Sequence, residues 1–303
     1  MYLTGFADEA SQNIDNQIKV TKALGWKNIE ARNIQGKNIV DISEEDFDIV
    51  YGKLQEAGVS INCFGSAIAN WGKSINDPFE ITLNEIKTAV PRMKKLGTKL
   101  IRVMSYAILN APATKEDQMF DERVKRLREM KKIFDDNDIT MVHENCMNYG
   151  GMGWAYTLDL IEAIQGLKLV FDTGNPVFNK DFCKCDVYET DASVGIRQDA
   201  WEFYTKVKPY IEYIHIKDGY YDYQNKKTVF TYPNAGNGYV KEILTDLINS
   251  GYDGGISIEP HVATVFHETA KENEIEEMKY NTYFYYGYIV NQLIDNIKMS
   301  KII

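Results

Sequence analysis

The chain has 303 residues, 44% of them hydrophobic, so it is long enough to bury a full core. Its 34 basic and 44 acidic residues give a net charge of −10, which argues against a nucleic-acid partner because phosphate binding needs clustered Lys and Arg. Four scattered cysteines, no basic-then-apolar leader and no apolar run of about 18 residues predict a cytoplasmic protein without a membrane contact.

Strand and helix signals alternate eight times along the chain. Short runs rich in Ile, Val and Leu predict strands near 2–6, 27–31, 59–63, 99–104, 139–144, 168–172, 211–216 and 255–259. Amphipathic stretches predict helices near 11–24, 43–57, 78–96, 117–136, 156–165, 196–207, 238–249 and 270–297. This alternation without a long linker predicts an α/β fold, a single-domain (β/α)8 TIM barrel over residues 1–303. An open doubly wound sheet is the alternative, but its usual Gly-rich turn after the first strand is missing.

An ionisable residue stands at the end of each of the last four predicted strands. These residues are Glu144, Asp172, His215 and Glu259. Side chains at the carboxyl ends of barrel strands meet at one face, so they should converge. Three carboxylates and an imidazole suit one divalent metal ion, Mn²⁺ before Mg²⁺, Co²⁺ or Zn²⁺. The alternative is helix capping, which is natural for Asp172 but less so for the two Glu residues, because Glu is a poor N-cap.

Alternation along the strands adds residues beside this predicted metal site. Residues two apart face the same way, so Lys217 should point with His215, and His261 with Glu259. Together with inward positions on strands two and four, they form the predicted substrate-binding set: Lys217, His261, Glu30 and Arg102. Glu30 shares its face with Arg32. By the same rule His143 should face the helix layer, as a structural or supporting residue.

Two long loops are predicted to line the site. One spans about 173–195, with Phe178, Phe182 and Tyr188, and the other about 218–237, with Tyr220, Tyr221 and Phe230. Long loops at this face of a barrel usually line the substrate cavity, although surface decoration is the alternative. The Gly-rich run 235–238 precedes the seventh helix. It would either bind a phosphate through its backbone N–H groups or merely close the loop.

With these motifs the chain resembles the xylose isomerase-like barrel superfamily and, within it, the sugar phosphate isomerase/epimerase group. The motifs that carry the resemblance are His-Glu-Asn at 143–145, Phe-Asp-Thr-Gly-Asn at 171–175, His-Ile-Lys-Asp at 215–218, Ile-Glu-Pro-His at 258–261, Gly-Phe-Ala-Asp-Glu-Ala at 5–10 and Cys-Phe-Gly-Ser at 63–66. The resemblance implies that Glu144, Asp172, His215 and Glu259 bind one divalent metal. It further implies that Glu144 and Glu259 are the catalytic proton-transfer pair.

The expected function is a sugar or sugar phosphate isomerase/epimerase that abstracts a proton next to a carbonyl through a metal-stabilised enediolate. The alternative is a metal-dependent lyase or dehydratase acting on a keto-sugar, keto-inositol or keto-glycoside. A DNA-repair endonuclease of the same superfamily needs three metals and a basic face, which four histidines and a charge of −10 disfavour. A non-catalytic sugar-binding barrel also stays open. The expected partner is a small carbohydrate, without nucleic acid or membrane, and a homo-oligomer is compatible with the sequence.

Overall fold

In the part of the chain that the structure describes, eight parallel strands and the eight longer helices around them build the fold. The computed structural model describes residues 1–184, 195–264 and 272–300. Within these ranges the strands of the main sheet are β1 (Tyr2–Gly5), β2 (Asn28–Ala31), β3 (Ser60–Phe64), β4 (Leu100–Val103), β5 (Thr140–Glu144), β6 (Lys168–Asp172), β7 (Ile211–Ile216) and β8 (Gly255–Ile258). The helices around them are α1 (Ile14–Ala23), α2 (Glu44–Ala57), α3 (Phe79–Leu96), α4 (Phe120–Asp135), α5 (Trp154–Ala163), α6 (Ala200–Val207), α7 (Val240–Asn249) and α8 (Glu272–Met299).

The strands form a nearly closed barrel. Their order is β1-β8-β7-β6-β5-β4-β3-β2, every neighbouring pair is parallel, and β1 lies against β2. The register brings Asp172 level with His215 and Ile258 level with Ile216, so the last four strands end close to one height. The predicted single-domain (β/α)8 TIM barrel is confirmed, and each predicted strand and helix has its counterpart.

Local sequence sets the helix ends. Asn13 and Ser43 cap α1 and α2 by accepting hydrogen bonds from the backbone N–H groups of Asp15 and Asp46. Gly58 and Gly97 end α2 and α3 in the left-handed conformation, with φ of 64° and 72°, which a residue with a Cβ adopts only at a cost.

The core lies mainly between the strands and the ring of helices, where Ile, Leu and Val side chains pack. A second, smaller cluster consists of Cys63, Val142, Val170 and Tyr213. Val142, Val170 and Tyr213 each stand two residues before a predicted metal ligand on the same strand. By strand alternation they therefore fill the barrel interior beneath the ligands.

Three small elements at the carboxyl ends of the strands were not predicted. One hairpin pairs Asn33–Ile34 with Lys37–Asn38 after β2, and another pairs Gly219–Asp222 with Lys227–Phe230 after β7. A one-turn helix, Asn175–Phe178, follows β6. Tyr188, of the predicted loop around 173–195, lies outside the described residues. No helix in the described ranges has the length and apolar character needed to cross a bilayer.

Candidate metal centre

The four predicted ligands lie together at the carboxyl end of the barrel. The structure brings one ligand atom each from Glu144, Asp172, His215 and Glu259 within 4.8 Å of one another. Nδ1 of His215 is 3.4 Å from Oε1 of Glu144, 3.6 Å from Oε2 of Glu259 and 4.0 Å from Oδ2 of Asp172. All four side chains are buried. This spacing leaves room for one cation between them.

Each of these residues keeps an atom available for an ion. Oδ1 of Asp172 accepts hydrogen bonds from the backbone N–H groups of Gly174 and Asn175, which leaves Oδ2 to face the other ligands. Among the described residues, no hydrogen bond reaches Nδ1 of His215, and Oδ2 of Asp172 and Oε2 of Glu259 are contacted by the ammonium group of Lys217. Buried carboxylates are costly without compensating charge. The residues present therefore fit a single divalent cation, and Asp172 both caps a helical turn through Oδ1 and directs Oδ2 toward the other three predicted ligands.

Glu30 orients the imidazole of His215. Nε2 of His215 lies 3.1 and 3.0 Å from the two carboxylate oxygens of Glu30, which also accepts a hydrogen bond from Ser257 Oγ at 2.6 Å. Burial lowers the pKa of His215, but Glu30 and Glu144 outweigh it and raise this pKa to about 10. An ion bound at Nδ1 would displace the proton there and leave Nε2–H bonded to Glu30.

Lys217 supplies positive charge inside the cluster. Its Nζ lies 3.1 Å from Oδ2 of Asp172 and 3.0 Å from Oε2 of Glu259, and it donates a hydrogen bond to Oδ1 of Asn175 at 3.2 Å. Burial raises the pKa of Asp172 to about 6, although Lys217 opposes this effect. The carboxylates of Asp172 and Glu259 keep the pKa of Lys217 above its usual value despite burial.

The two predicted catalytic glutamates each pair with their own arginine. Arg102 lies 3.1 Å from Oε2 of Glu144, and Arg32 donates to Oε1 of Glu259 at 2.9 Å. The ring of Phe6 contacts both guanidinium groups, 4.4 Å from Arg32 and 5.1 Å from Arg102. Burial opposes ionisation of Glu144, but Arg102 and His215 lower its pKa to about 2.

His261 lies between two carboxylates. Its Nδ1 is 2.8 Å from Oε1 of Glu9, and its Nε2 is 3.3 Å from Oε1 of Glu259. The backbone N–H of His261 also donates to Oε2 of Glu9 at 2.6 Å, which fixes the residue in a left-handed conformation with φ of 54°. Burial lowers the pKa of His261, but Glu9 and Glu259 raise it to about 9.

The predicted substrate-binding residues occupy two different places. Lys217, His261 and Arg102 line a cavity of about 480 Å³ that also reaches Glu144 and Glu259. Glu30 is fully buried behind His215 and is not among the residues that line this cavity. Its position thus differs from the substrate contact expected from the sequence, because Glu30 points inward but lies beyond the imidazole.

His143 follows the alternation and turns away from the ligands. It is fully buried, with Nε2 3.1 Å from the hydroxyl oxygen of Ser105. Three residues of the site were missed: Arg32, Glu9 and Asn175. All three were visible in the sequence: Arg32 shares a face with Glu30, Glu9 belongs to the Gly-Phe-Ala-Asp-Glu-Ala motif and Asn175 to the Phe-Asp-Thr-Gly-Asn motif.

The cavity combines amide groups with an apolar rim. In the described part of the chain its lining includes five asparagines: Asn33, Asn38, Asn70, Asn175 and Asn179. Nδ2 of Asn179 is buried and has no hydrogen-bond partner within the described ranges. An amide offers both a donor and an acceptor, which suits the hydroxyl groups of a polyol. Large apolar side chains, among them Trp71, Met147, Phe178 and Phe230, line the same cavity.

The Gly-rich run before α7 already donates hydrogen bonds to a carboxylate of the same chain, that of Asp218. Oδ1 of Asp218 accepts hydrogen bonds from the N–H groups of Gly219 and Gly238, at 2.8 and 2.9 Å, and Oδ2 accepts one from Gly236 at 3.1 Å. A Cβ on Gly236 would stand 2.4 Å from the Asp218 carboxylate, so glycine is required there. Of the two readings of this run, closure of the loop therefore agrees with its geometry.

These features define an α/β barrel with a buried Glu/Asp/His/Glu group able to bind a metal ion. A family model described as xylose isomerase-like TIM barrel matches residues 18–280. The chain belongs to this family. The sequence matches none of the curated proteins.

Solved structures share the fold at low sequence identity. A xylose isomerase-like TIM barrel protein from Mycobacterium smegmatis, in complex with magnesium, has a TM-score of 0.63 and 15% identity, over 92% of this chain and 88% of that one. An L-ribulose 3-epimerase has a TM-score of 0.64 and 13% identity, over 99% and 95%. A probable 3-DHS dehydratase from Bacillus anthracis has a TM-score of 0.63 and 14% identity, over 93% and 97%. At such identities the likeness shows the fold alone.

Proposed function

We propose that the protein is a divalent-metal-dependent isomerase or epimerase that moves a proton next to the carbonyl of a sugar. The observation that carries this proposal is the buried Glu/Asp/His/Glu group, whose ligand atoms converge beside a cavity lined with amides. The L-ribulose 3-epimerase among its structural neighbours supports the same class.

A metal ion held by Glu144, Asp172, His215 and Glu259 would act as a Lewis acid and lower the cost of enediolate charge on the substrate. One of the two glutamates, Glu144 or Glu259, takes the proton from the carbon beside the carbonyl. The other returns a proton to the opposite face, which gives the epimer, or to the neighbouring carbon, which gives the isomer. General acid–base catalysis of this kind contributes about 10²–10⁴-fold to the rate.

The remaining side chains hold and polarise the substrate. Arg102 and Arg32 keep the two glutamates ionised and oriented, because each guanidinium pairs with one carboxylate. Lys217 and His261 both line the cavity next to Glu259, where their charge favours a substrate oxygen that becomes negative. The cavity asparagines supply hydrogen bonds to the sugar hydroxyls.

The preferred ion is Mn²⁺, since three carboxylates and one imidazole offer hard and borderline donors. Mg²⁺, Co²⁺ and Zn²⁺ remain candidates. We place the enzyme in the cytoplasm, because Cys63, Cys146 and Cys183 carry free thiols, as is usual in a reducing compartment.

A second candidate, a metal-dependent lyase or dehydratase, is favoured by the surroundings of Glu259. Lys217, His261 and Arg32 all contact this carboxylate. A site with a base and adjacent cationic donors can abstract a proton and also protonate a leaving oxygen at the next carbon. The substrate then loses water or an alcohol, and this release distinguishes the reaction from epimerisation.

The direct test is solvent exchange. The protein is stripped of metal, incubated in D₂O with ketoses, sugar phosphates and keto-glycosides, with and without Mn²⁺, and followed by NMR. We expect Mn²⁺-dependent incorporation of deuterium at a carbon beside the carbonyl of the substrate and of its isomer or epimer, and loss of isomer or epimer formation in Glu144→Gln and Glu259→Gln.

The matched control is Glu162→Gln, which changes an exposed carboxylate on α5 and should leave exchange intact. Retained epimerisation or isomerisation in either active-site variant would exclude the proton-transfer pair. Exchange accompanied by release of water or an alcohol would identify the lyase instead.

A further inference from the structure

We propose that the substrate carries an apolar ring next to its sugar, as an aryl keto-glycoside does, and that the aromatic side chains that line the mouth of the cavity, Trp71 among them, bind this ring. The sugar part of this proposed substrate rests on the proposed function. The apolar ring of the substrate is inferred from a separate set of contacts at the mouth of the cavity.

Trp71 is exposed on a loop that is fixed on both sides. Its side chain is 52% exposed although it lines the cavity. The loop that carries it is tied to the segment after β4 by backbone hydrogen bonds: Met104 N to Ile68 O at 3.2 Å, Tyr106 N to Ala69 O at 2.6 Å and Ala107 N to Lys73 O at 2.9 Å. The indole is therefore presented by an ordered backbone, and a large apolar surface held open at a cavity marks a binding surface.

An apolar wall begins directly beside the reacting end of the site. The ring of Phe230 packs edge-on against His261 with centroids 5.1 Å apart, and Phe178 packs edge-on against Phe230 at 5.0 Å. His261 in turn contacts Glu259. A substituent attached to a sugar held at the glutamates would therefore meet aromatic rings.

Met147 extends the apolar rim, with 53% of its surface exposed at the cavity. Its flexible thioether adapts to flat rings of different shape. The volume of about 480 Å³ lies in the range of about 300–1,000 Å³ that accepts ligands larger than one sugar ring. A phosphate is a poor alternative for this part of the substrate, because the carboxylate of Asp218 already takes the Gly-rich N–H groups.

The test compares phenyl β-D-glucopyranoside with methyl β-D-glucopyranoside, each oxidised to the ketone at the same ring carbon, by calorimetric titration of the Mn²⁺-loaded protein. We expect the phenyl compound to bind at least tenfold more tightly. Trp71→Ala should abolish this preference and Trp71→Phe should keep most of it. Tyr285→Ala, which removes an equally exposed aromatic residue that does not line the cavity, should leave the preference unchanged.

Equal affinities for the two glycosides, or no binding of either, would overturn the inference. So would an unchanged preference in Trp71→Ala. The outcome is distinct from that of the exchange experiment, because binding needs no turnover. Exchange on free sugars with no effect of an aryl group would leave the proposed function standing and remove only this inference.

Discussion

Both carboxylate oxygens of Glu30 contact Nε2 of His215, at 3.0 and 3.1 Å, so an acid of β2 reaches across the barrel to an imidazole of β7. The contact determines which nitrogen of His215 can bind a metal. Because Nε2–H is held by Glu30, Nδ1 is left to face the three carboxylate ligands. A negative partner behind a ligating histidine also makes its free nitrogen more basic.

Glu30→Gln should weaken Mn²⁺ binding by about 10- to 100-fold, because the amide removes the charge behind His215 while nearly preserving its shape. The dissociation constant is measured by calorimetric titration of the metal-stripped protein. Glu45→Gln, an exposed change at the start of α2, is the control and should bind Mn²⁺ as the unmodified protein does. An unchanged constant in Glu30→Gln would show that Glu30 does not tune the ligand.

Lys217→Met should destabilise the metal-free protein by about 3–5 kcal/mol, because it leaves Asp172 and Glu259 buried without their shared counter-charge. Thermal unfolding with and without Mn²⁺ measures this. The increase in Tm on adding Mn²⁺ should be larger in the variant, since the ion then supplies the missing charge. Lys132→Met, which breaks an exposed pair with Asp136, should change neither value. Equal stability of Lys217→Met and the unmodified chain would contradict the prediction.

Asp218→Ala should lower the free energy of unfolding by roughly 2–4 kcal/mol, because three backbone N–H groups lose their acceptor. Chemical denaturation gives the value. Asp222→Ala, at the tip of the neighbouring hairpin, removes a carboxylate with mainly local hydrogen bonds and should cost less. If both variants lose the same stability, Asp218 does not organise this loop.

Gly65→Ala should reduce turnover although residue 65 touches none of the four ligands. A Cβ at this position would stand 2.3 Å from the ring of Phe6, which must then move. Such overpacking costs about 1–3 kcal/mol. Gly52→Ala, in the middle of α2 where a Cβ meets nothing within 4 Å, should instead stabilise by up to ~1 kcal/mol. Normal kcat in Gly65→Ala would show that the position of Phe6 has no influence on the site.

The periodicity of apolar residues in the sequence was sufficient to predict the barrel and the direction in which the ligand side chains point. Alternation continued past the ends of β7 and β8 predicted that Lys217 and His261 point toward the ligands, and the two side chains lie 3.0 and 3.3 Å from the carboxylate of Glu259. Periodicity could not predict the position of a side chain along the barrel axis. Glu30 points inward as expected, yet it lies behind the imidazole, because pairing across the barrel depends on how the strands are staggered.

The hydrogen bonds that Asp218 accepts could not be predicted from the sequence for a related reason. Its carboxylate bonds to the next residue and to glycines 18 and 20 positions later, and nothing local shows that these N–H groups are occupied. The two hairpins were missed because their strands of two and four residues are too short for a period to emerge.

Phe6 is shared by two ion pairs, since its ring contacts both Arg32, the partner of Glu259, and Arg102, the partner of Glu144. The two glutamates of the proposed proton-transfer pair are thus coupled through one aromatic ring. Substitutions at positions 6, 32 and 102 should therefore show strong epistasis, and a library meant to change the stereochemistry of this barrel should vary the three positions together.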